Sequence, residues 1–181
     1  MLGLAQARFL YAFLNRGEAH PAPSQHHTFG PLTLRLKLPG TNAGIPEPLC
    51  SIGEPGRASL IFIRLLKGSR AKVGVEFWGN ELSEGDVFQL PAADAEIEVT
   101  CYVPAFFPSA DDPVWGATPA GRKNQLVREY RILVDGIERL HGSTPYVEPE
   151  GSPLYIGANP LGGSFVSNLF TGKVLAVKRA R

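Results

Sequence analysis

The sequence lacks the features that mark several large classes of protein. It contains no uninterrupted apolar run of about 18 residues, so we predict no membrane-spanning helix and no membrane insertion. Its formal net charge is only +1, which gives no electrostatic basis for binding nucleic acid. No glycine-rich phosphate loop stands between a strand and a helix, and we predict no cofactor.

Cysteine is scarce, with Cys50 and Cys101 the two cysteines of the chain. Both stand in strand-like runs with apolar neighbours, which is typical of buried free thiols. A disulfide between them is the alternative, and it requires Cα atoms within about 7 Å. Neither cysteine has a histidine at zinc-ligand spacing, and two cysteines do not define the compartment.

Turn-forming residues are abundant. The 181 residues include 20 glycines and 16 prolines. This composition favours many short strands joined by turns over long helices. The apolar share of 44% is ordinary for a globular protein, and a two-sheet sandwich of this length can bury most of its unfolded surface.

Residues 1–28 differ from the rest of the chain and are predicted to form a separate N-terminal segment. Its apolar start predicts a strand or a short helix that docks on the main domain. Arg8 interrupts the apolar run, which is unlike a secretory signal. The lack of acidic residues before Glu18 is faintly like an organellar presequence. The following loop has three histidines without the other ligands of a metal site: His20, His26 and His27. We place the main domain at residues 29–181.

Apolar residues in the main domain recur at the period of a β-strand. Leu32–Lys37 alternates cleanly, and Asp135-Gly136 between alternating runs predicts a hairpin with a tight type I′ turn. Further strands are predicted at 58–66, 71–78, 87–91 and 96–103. This spacing predicts an all-β fold, a two-sheet antiparallel β-sandwich.

The C-terminal stretch carries a family resemblance. Its first strand ends in Ile156-Gly157, Asn159-Pro160 forms a corner, and Phe170-Thr171-Gly172 opens the final strand. This pattern resembles the closing strands of laminin-G-like and concanavalin-A-like jelly rolls, the superfamily of lectins and glucanases. The chain also looks like a bacterial subgroup of such domains, through the combination of Phe77-Trp78-Gly79, a proline-rich aromatic loop that ends in Asp112-Pro113-Val114-Trp115-Gly116, and Gly157-Ala158-Asn159-Pro160. The resemblance implies a jelly roll in which strand 96–103 pairs with the hairpin, and a carbohydrate-binding module, with a leaning towards an extracellular location.

The chain departs from that family pattern between strand 96–103 and the hairpin. The family has a short turn there, whereas this chain has residues 104–130, rich in proline and aromatic side chains. A loop of this length is usually either functional or disordered, and its aromatic residues argue against disorder. We therefore predict an ordered loop that projects from one edge of the sandwich, with Trp115 as its anchor.

The predicted ligand-binding residues are aromatic rings and oxygen donors, most of them in this loop: Phe106, Phe107, Asp111, Asp112, Trp115 and Asn159. Exposed rings beside polar groups bind carbohydrates, and the same residue types anchor protein interfaces, so the partner is a carbohydrate or another protein. The alternative is that the loop packs its rings over the sandwich. The carboxylates suit calcium, but adjacent acids before a proline are typical of turns, and we predict no metal.

An enzyme is the third hypothesis. Glu96 and Glu98 alternate along one strand and so share a face, which resembles the first half of the glucanase motif. The third carboxylate of that motif is missing, because residues 100–102 are Thr, Cys and Tyr. We predict no catalytic residue and a non-catalytic binding module, with a structural or accessory subunit of a larger assembly as the alternative.

Overall fold

The computed structural model describes residues 10–11, 20–21, 29–40, 44–77, 81–144, 152–162 and 164–179. The strands are β1 Leu10–Tyr11, β2 His20–Pro21, β3 Leu32–Lys37, β4 Pro46–Glu54, β5 Arg57–Leu66, β6 Arg70–Phe77, β7 Glu81–Glu84, β8 Phe88–Gln89, β9 Glu96–Tyr102, β10 Glu129–Val134, β11 Ile137–Ser143, β12 Leu154–Ile156 and β13 Lys173–Arg179. One α-helix, α1, spans Ala120–Arg128, and two 3-10 turns span Pro104–Phe106 and Pro113–Trp115.

Two antiparallel sheets form the main body. The first sheet has the order β11-β10-β9-β3-β13, and the second has the order β12-β4-β5-β6-β7, with β8 paired to β6. The predicted all-β, two-sheet antiparallel sandwich is confirmed. In the N-terminal segment β1 pairs with β2; the rest of residues 1–28, with His26 and His27, lies outside the described residues, as does Trp78.

Side-chain alternation explains how the sheets bury their inner faces. In β3 the leucines Leu32, Leu34 and Leu36 are fully buried in the core, while Arg35 and Lys37 between them are exposed. Successive side chains of a strand point to opposite faces, so this pattern fixes which face of the first sheet is the outer one. The same alternation along β9 places Glu96 and Glu98 on that outer face, where both are exposed.

The predicted hairpin is present between β10 and β11. Asp135 and Gly136 have φ angles of 50° and 76°, the positive values that a type I′ turn requires. Its first strand pairs with β9, in a register that sets Val134 opposite Val99. The strand pairing that the family resemblance implies is therefore confirmed.

The two closing strands lie at the edges of different sheets. β12 pairs with β4 of the second sheet, whereas β13 pairs with β3 of the first. The chain between them, residues 158–162 and 164–172, is called here the crossover segment. It covers the outer face of the second sheet, where Val166 is buried against Leu60 and Phe62. This cover explains why β5 is apolar on both faces.

Among the residues that the structure describes, helical structure is limited to short pieces. Within the described parts of the chain, none of the helices has the length and apolarity needed to cross a membrane. The helix α1 packs against the 3-10 turn at Pro104–Phe106 and against the start of β10. It therefore belongs to the insertion between β9 and β10.

Candidate functional site

The insertion between β9 and β10 is ordered, but it is not the irregular loop that the sequence predicts. Both of its 3-10 turns begin at a proline, whose fixed φ suits the first position of a helical turn. The nine residues of α1 then lead into β10. This helix has no N-terminal sequence signature, because its N-cap is Pro119 and no side chain caps it.

Phe106 joins the insertion to the sandwich. Its side chain is fully buried in the core, and the Arg179 guanidinium lies 4.8 Å from the centre of its ring. Its carbonyl oxygen accepts a hydrogen bond of 2.9 Å from the Gly30 amide. A ligand at the surface cannot reach this ring, so the prediction that Phe106 binds ligand is wrong. Phe107 is only partly buried and packs against the edge of the core.

Trp115 lies in the second turn, which is held by local hydrogen bonds. Its indole Nε1 donates to the Ser109 carbonyl oxygen over 2.8 Å, and the side chain is partly exposed. The carboxylate of Asp112 accepts from the Val114 amide over 2.8 Å and so caps the turn, as an acid before a proline often does. Asp111 beside it is exposed. We call residues 109–116 the tryptophan turn.

The structure does not bring Asn159 to the tryptophan turn. Asn159 is 2% exposed, and its backbone N–H donates a hydrogen bond to the Asn168 carbonyl within the crossover segment. That segment ends at Gly172, which lies against the Lys37 carbonyl at one end of β3. The insertion, by contrast, leaves the first sheet beside Leu32, at the other end of β3. Asn159 is therefore buried within the crossover segment, which covers the second sheet, whereas the insertion leaves the first sheet.

Tyr102 and Arg131 form a pair that the sequence analysis did not single out. Tyr102 is the last residue of β9, directly before the insertion, and the Arg131 guanidinium lies 4.7 Å from the centre of its ring. Both side chains are on the outer face of the first sheet and partly exposed. On the same face the hydroxyls of Thr33 and Thr100 are 3.1 Å apart in a hydrogen bond. The alternation Glu96, Glu98, Thr100, Tyr102 was the signal that could have found this ring.

The outer face of the first sheet also holds the two carboxylates that suggested an enzyme. Glu96 accepts a hydrogen bond of 2.7 Å from the Arg35 guanidinium, and both side chains are exposed. The Glu98 amide bonds the Asp135 carboxylate, which ties β9 to the hairpin turn. Across the described ranges, the His, Cys, Asp and Glu side chains form no group of three or more that could hold a metal ion.

Glu47 is a buried carboxylate that the sequence analysis missed. It is 1% exposed in β4, and it accepts two hydrogen bonds of 2.8 Å from the amide and the hydroxyl of Thr171. Thr171 immediately precedes β13, so the contact joins the second sheet to the edge of the first. Hydrogen bonds to a charged acceptor are stronger than neutral ones, and this pair fixes the end of the crossover segment.

Replacing Glu47 by glutamine is expected to lower the free energy of unfolding by about 1 kcal/mol, because a neutral amide has one acceptor oxygen where the carboxylate has two. Urea unfolding of the variant and the parent measures the difference. Glu98→Gln, at an exposed position of the same charge, is the control and should shift the free energy by less than about 0.5 kcal/mol. A loss at Glu47 no larger than at Glu98 would contradict the structural role of Glu47.

The sequence matches no protein-family model and no curated protein. Among solved structures, the fold is similar to the carbohydrate-binding module CBM40 of the Ruminococcus gnavus IT-sialidase bound to α2,6-sialyllactose, with a TM-score of 0.51 and 14% identity over 83% of this chain and 75% of that chain. A second structure of that module gives a TM-score of 0.49 and 13% identity, covering 83% and 74%. Domains LG4-5 of the mouse laminin α1 chain give 0.38 and 10%, covering 94% and 37%. At these identities the likeness shows the fold alone: the chain is a jelly-roll β-sandwich.

Proposed function

We propose that this chain is a non-catalytic carbohydrate-binding module that binds its ligand at the tryptophan turn. The observation that carries the proposal is the Trp115 ring, which is partly exposed and held by the bond from its Nε1 to the Ser109 carbonyl. A ring fixed before binding loses little conformational freedom when a sugar stacks on it. In the structure of the similar CBM40 module the ligand is sialyllactose, which agrees with a glycan as the ligand class.

Polar groups beside the ring supply the hydrogen bonds that a sugar needs. Asp111 is exposed, and Asp112 keeps one carboxylate oxygen beyond the Oδ1 atom that caps the turn. Phe107 adds partly exposed apolar surface near the start of the insertion. Phe107, Asp111, Asp112 and Trp115 form the proposed site within a binding domain of residues 29–181, to which residues 1–28 are appended. Phe106 and Asn159 are not part of it.

A second candidate function is protein binding through the same turn. Val114 is 61% exposed directly beside Trp115, and an exposed apolar pair of this kind suits the core of a protein interface. A sugar would stack on the indole and gain little from the valine. Val114 should therefore contribute to the affinity for a protein partner but not to the affinity for a glycan, and this difference distinguishes the two functions.

Trp115→Ala is expected to weaken glycan binding by more than about tenfold, because the stacking surface is lost. A glycan array identifies the ligand, and calorimetry with that ligand compares the variants. Val114→Ala is the matched control on the same turn and should keep its glycan affinity. The melting temperature of Trp115→Ala should stay close to that of the parent, since the ring is partly exposed.

Two results would overturn the proposal. If no glycan on the array binds, while Trp115→Ala and Val114→Ala both abolish capture of a protein partner, the turn is a protein interface. If Trp115→Ala instead lowers the free energy of unfolding by about 3–5 kcal/mol, the ring is part of the core and the site is misassigned.

A further inference from the structure

The outer face of the second sheet carries a cluster of charged side chains that the proposed site does not use. The Arg64 guanidinium lies 2.7 Å from Oε1 of Glu84, and the Lys72 ammonium lies 3.7 Å from Oε2 of the same carboxylate. Ile63 and Val73, the chain neighbours of the two cations, point into the core, so the cations point outwards. We call Arg64, Lys72 and Glu84 the charged triad.

Strand register explains why these three side chains meet beside an aromatic ring. Arg64 of β5 is paired with Lys72 of β6, and the next pair on the same face is Phe62 with Gly74. Gly74 is in turn paired with Glu84 of β7. Because Gly74 has no side chain, the Phe62 ring occupies the space that a Cβ atom would take there. The charged triad therefore borders the Phe62 ring on this face.

The crossover segment adds a second ring, which is exposed, at the same place. Phe165 is 44% exposed, and its edge-to-face contact with Phe62 has ring centres 5.4 Å apart. The Arg64 guanidinium lies 5.5 Å from the centre of the Phe165 ring. These two contacts orient the ring while a large part of it stays open to solvent. A ring that is held before binding loses little conformational freedom when a ligand stacks on it.

The charged triad keeps hydrogen-bonding capacity beyond its ion pairs. Its side chains are 24–30% exposed, so water and small ligands can reach them. A lysine ammonium has three donors and a carboxylate has about four acceptor positions, more than the two contacts within the triad use. Ion pairs with this much exposure add little to folding stability, so stability alone does not explain the cluster.

The charges around the Phe165 ring balance, which indicates the charge of the ligand. The two cations of the triad are offset by Glu84 and by Glu76, whose carboxylate accepts a hydrogen bond from the hydroxyl of the residue before Phe165. An anionic ligand would face these two carboxylates. An apolar protein segment would remove water from the triad without replacing its hydrogen bonds.

A neutral sugar avoids both costs. Each sugar hydroxyl both donates and accepts, so neighbouring hydroxyls can donate to Glu84 and accept from Lys72. The C–H face of a pyranose ring suits the open face of Phe165. The cluster therefore matches a neutral sugar better than either alternative.

We propose that Phe165 and the charged triad form a second binding site, which takes a neutral pyranose unit of a glycan. This site shares no residue with the tryptophan turn. It lies on the outer face of the second sheet, whereas the tryptophan turn belongs to the insertion in the first sheet. Binding here therefore does not depend on whether the tryptophan turn binds a glycan.

The test is an NMR titration of the isotope-labelled full chain with cellohexaose, maltohexaose, mannohexaose and xylohexaose. We expect at least one of these sugars to shift the amide signals of the charged triad and of residues 164–166, and to do so equally in Trp115→Ala. Phe165→Ala should weaken this binding by more than about tenfold, and Phe165→Tyr, which keeps the ring, should retain it. The shift map of the parent chain does not depend on how the variants fold.

Leu169→Ala is the matched control, because Leu169 is 43% exposed on the same crossover segment and lies outside the proposed site. Its affinity should equal that of the parent. Signal shifts confined to residues 109–116 and lost in Trp115→Ala would overturn the second site and support the first. No shift with any of the four sugars, or an affinity that survives Phe165→Ala, would also overturn the second site. Capture of a protein partner that depends on Phe165, without any sugar-induced shift, would make this face a protein interface instead.

Discussion

Replacing Phe106 by alanine should lower the free energy of unfolding by about 3–5 kcal/mol, the usual cost of removing a fully buried aromatic ring. The ring occupies the core, and the Arg179 guanidinium lies over it. Its loss leaves a cavity and loosens the first turn of the insertion, whose backbone is bonded to Gly30. Denaturant unfolding measures the change as a shift of the midpoint at unchanged slope.

Phe165→Ala is the matched control for this prediction. Phe165 is 44% exposed on the crossover segment and makes an edge-to-face contact with Phe62, with ring centres 5.4 Å apart. Its removal should lower the free energy of unfolding by about 1 kcal/mol, mostly through the lost aromatic contact. Equal losses for the two variants would mean that Phe106 is not a core residue and would restore it as a candidate for ligand binding.

The Phe106 result bears on how the proposed site works. The tryptophan turn follows Phe106 by only a few residues, so anchoring that ring in the core limits how far the turn can move. A variant that loses the anchor should therefore bind glycan more weakly even though Phe106 touches no ligand. Because this loss comes from looser positioning, a binding assay at low temperature, where the native state is well populated, separates it from simple unfolding.

Much of the fold could be predicted from the sequence because its strands obey simple periodicity. The alternation of Leu32–Lys37 fixed both the strand and its buried face, and Asp135-Gly136 fixed a hairpin turn. The helix α1 could not be predicted in this way. It has no capping side chain and no buried residue, so its sequence carries neither the cap nor the apolar face from which a helix is predicted.

The candidate site was harder to predict, because sequence position does not show which rings are exposed. Phe106 and Phe107 are neighbours in a proline-rich stretch, yet one is in the core and the other at its edge. Asn159 was grouped with the loop on residue type, whereas it is buried within the crossover segment. Tyr102 was overlooked because tyrosine is common in β-strands, so its presence in a regular strand does not by itself indicate a binding residue.

The second large loss of stability is expected at Gly172, at the end of the crossover segment. Replacing Gly172 by alanine should lower the free energy of unfolding by about 2–3 kcal/mol, as expected for an added group in a filled space. A Cβ atom at this position would meet the carbonyl oxygen of Lys37 and would lie 2.6 Å from the Phe170 ring. The carbonyl belongs to the backbone of β3, so relief requires β13 to move away from its partner strand. Thermal and urea unfolding both report the loss.

Gly121→Ala is the control, because the same substitution should have the opposite sign there. Gly121 is the second residue of α1, where an added Cβ would meet open space, and alanine has a higher helix propensity than glycine, so a gain of up to about 1 kcal/mol is expected. The two glycine-to-alanine changes should therefore alter the free energy of unfolding in opposite directions. At Gly172 two strands approach each other closely, whereas the space around Gly121 is open. If Gly172→Ala is neutral, β13 does not approach β3 as closely as the structure places it, and the closing of the sandwich depends on the Glu47 contact to Thr171 instead.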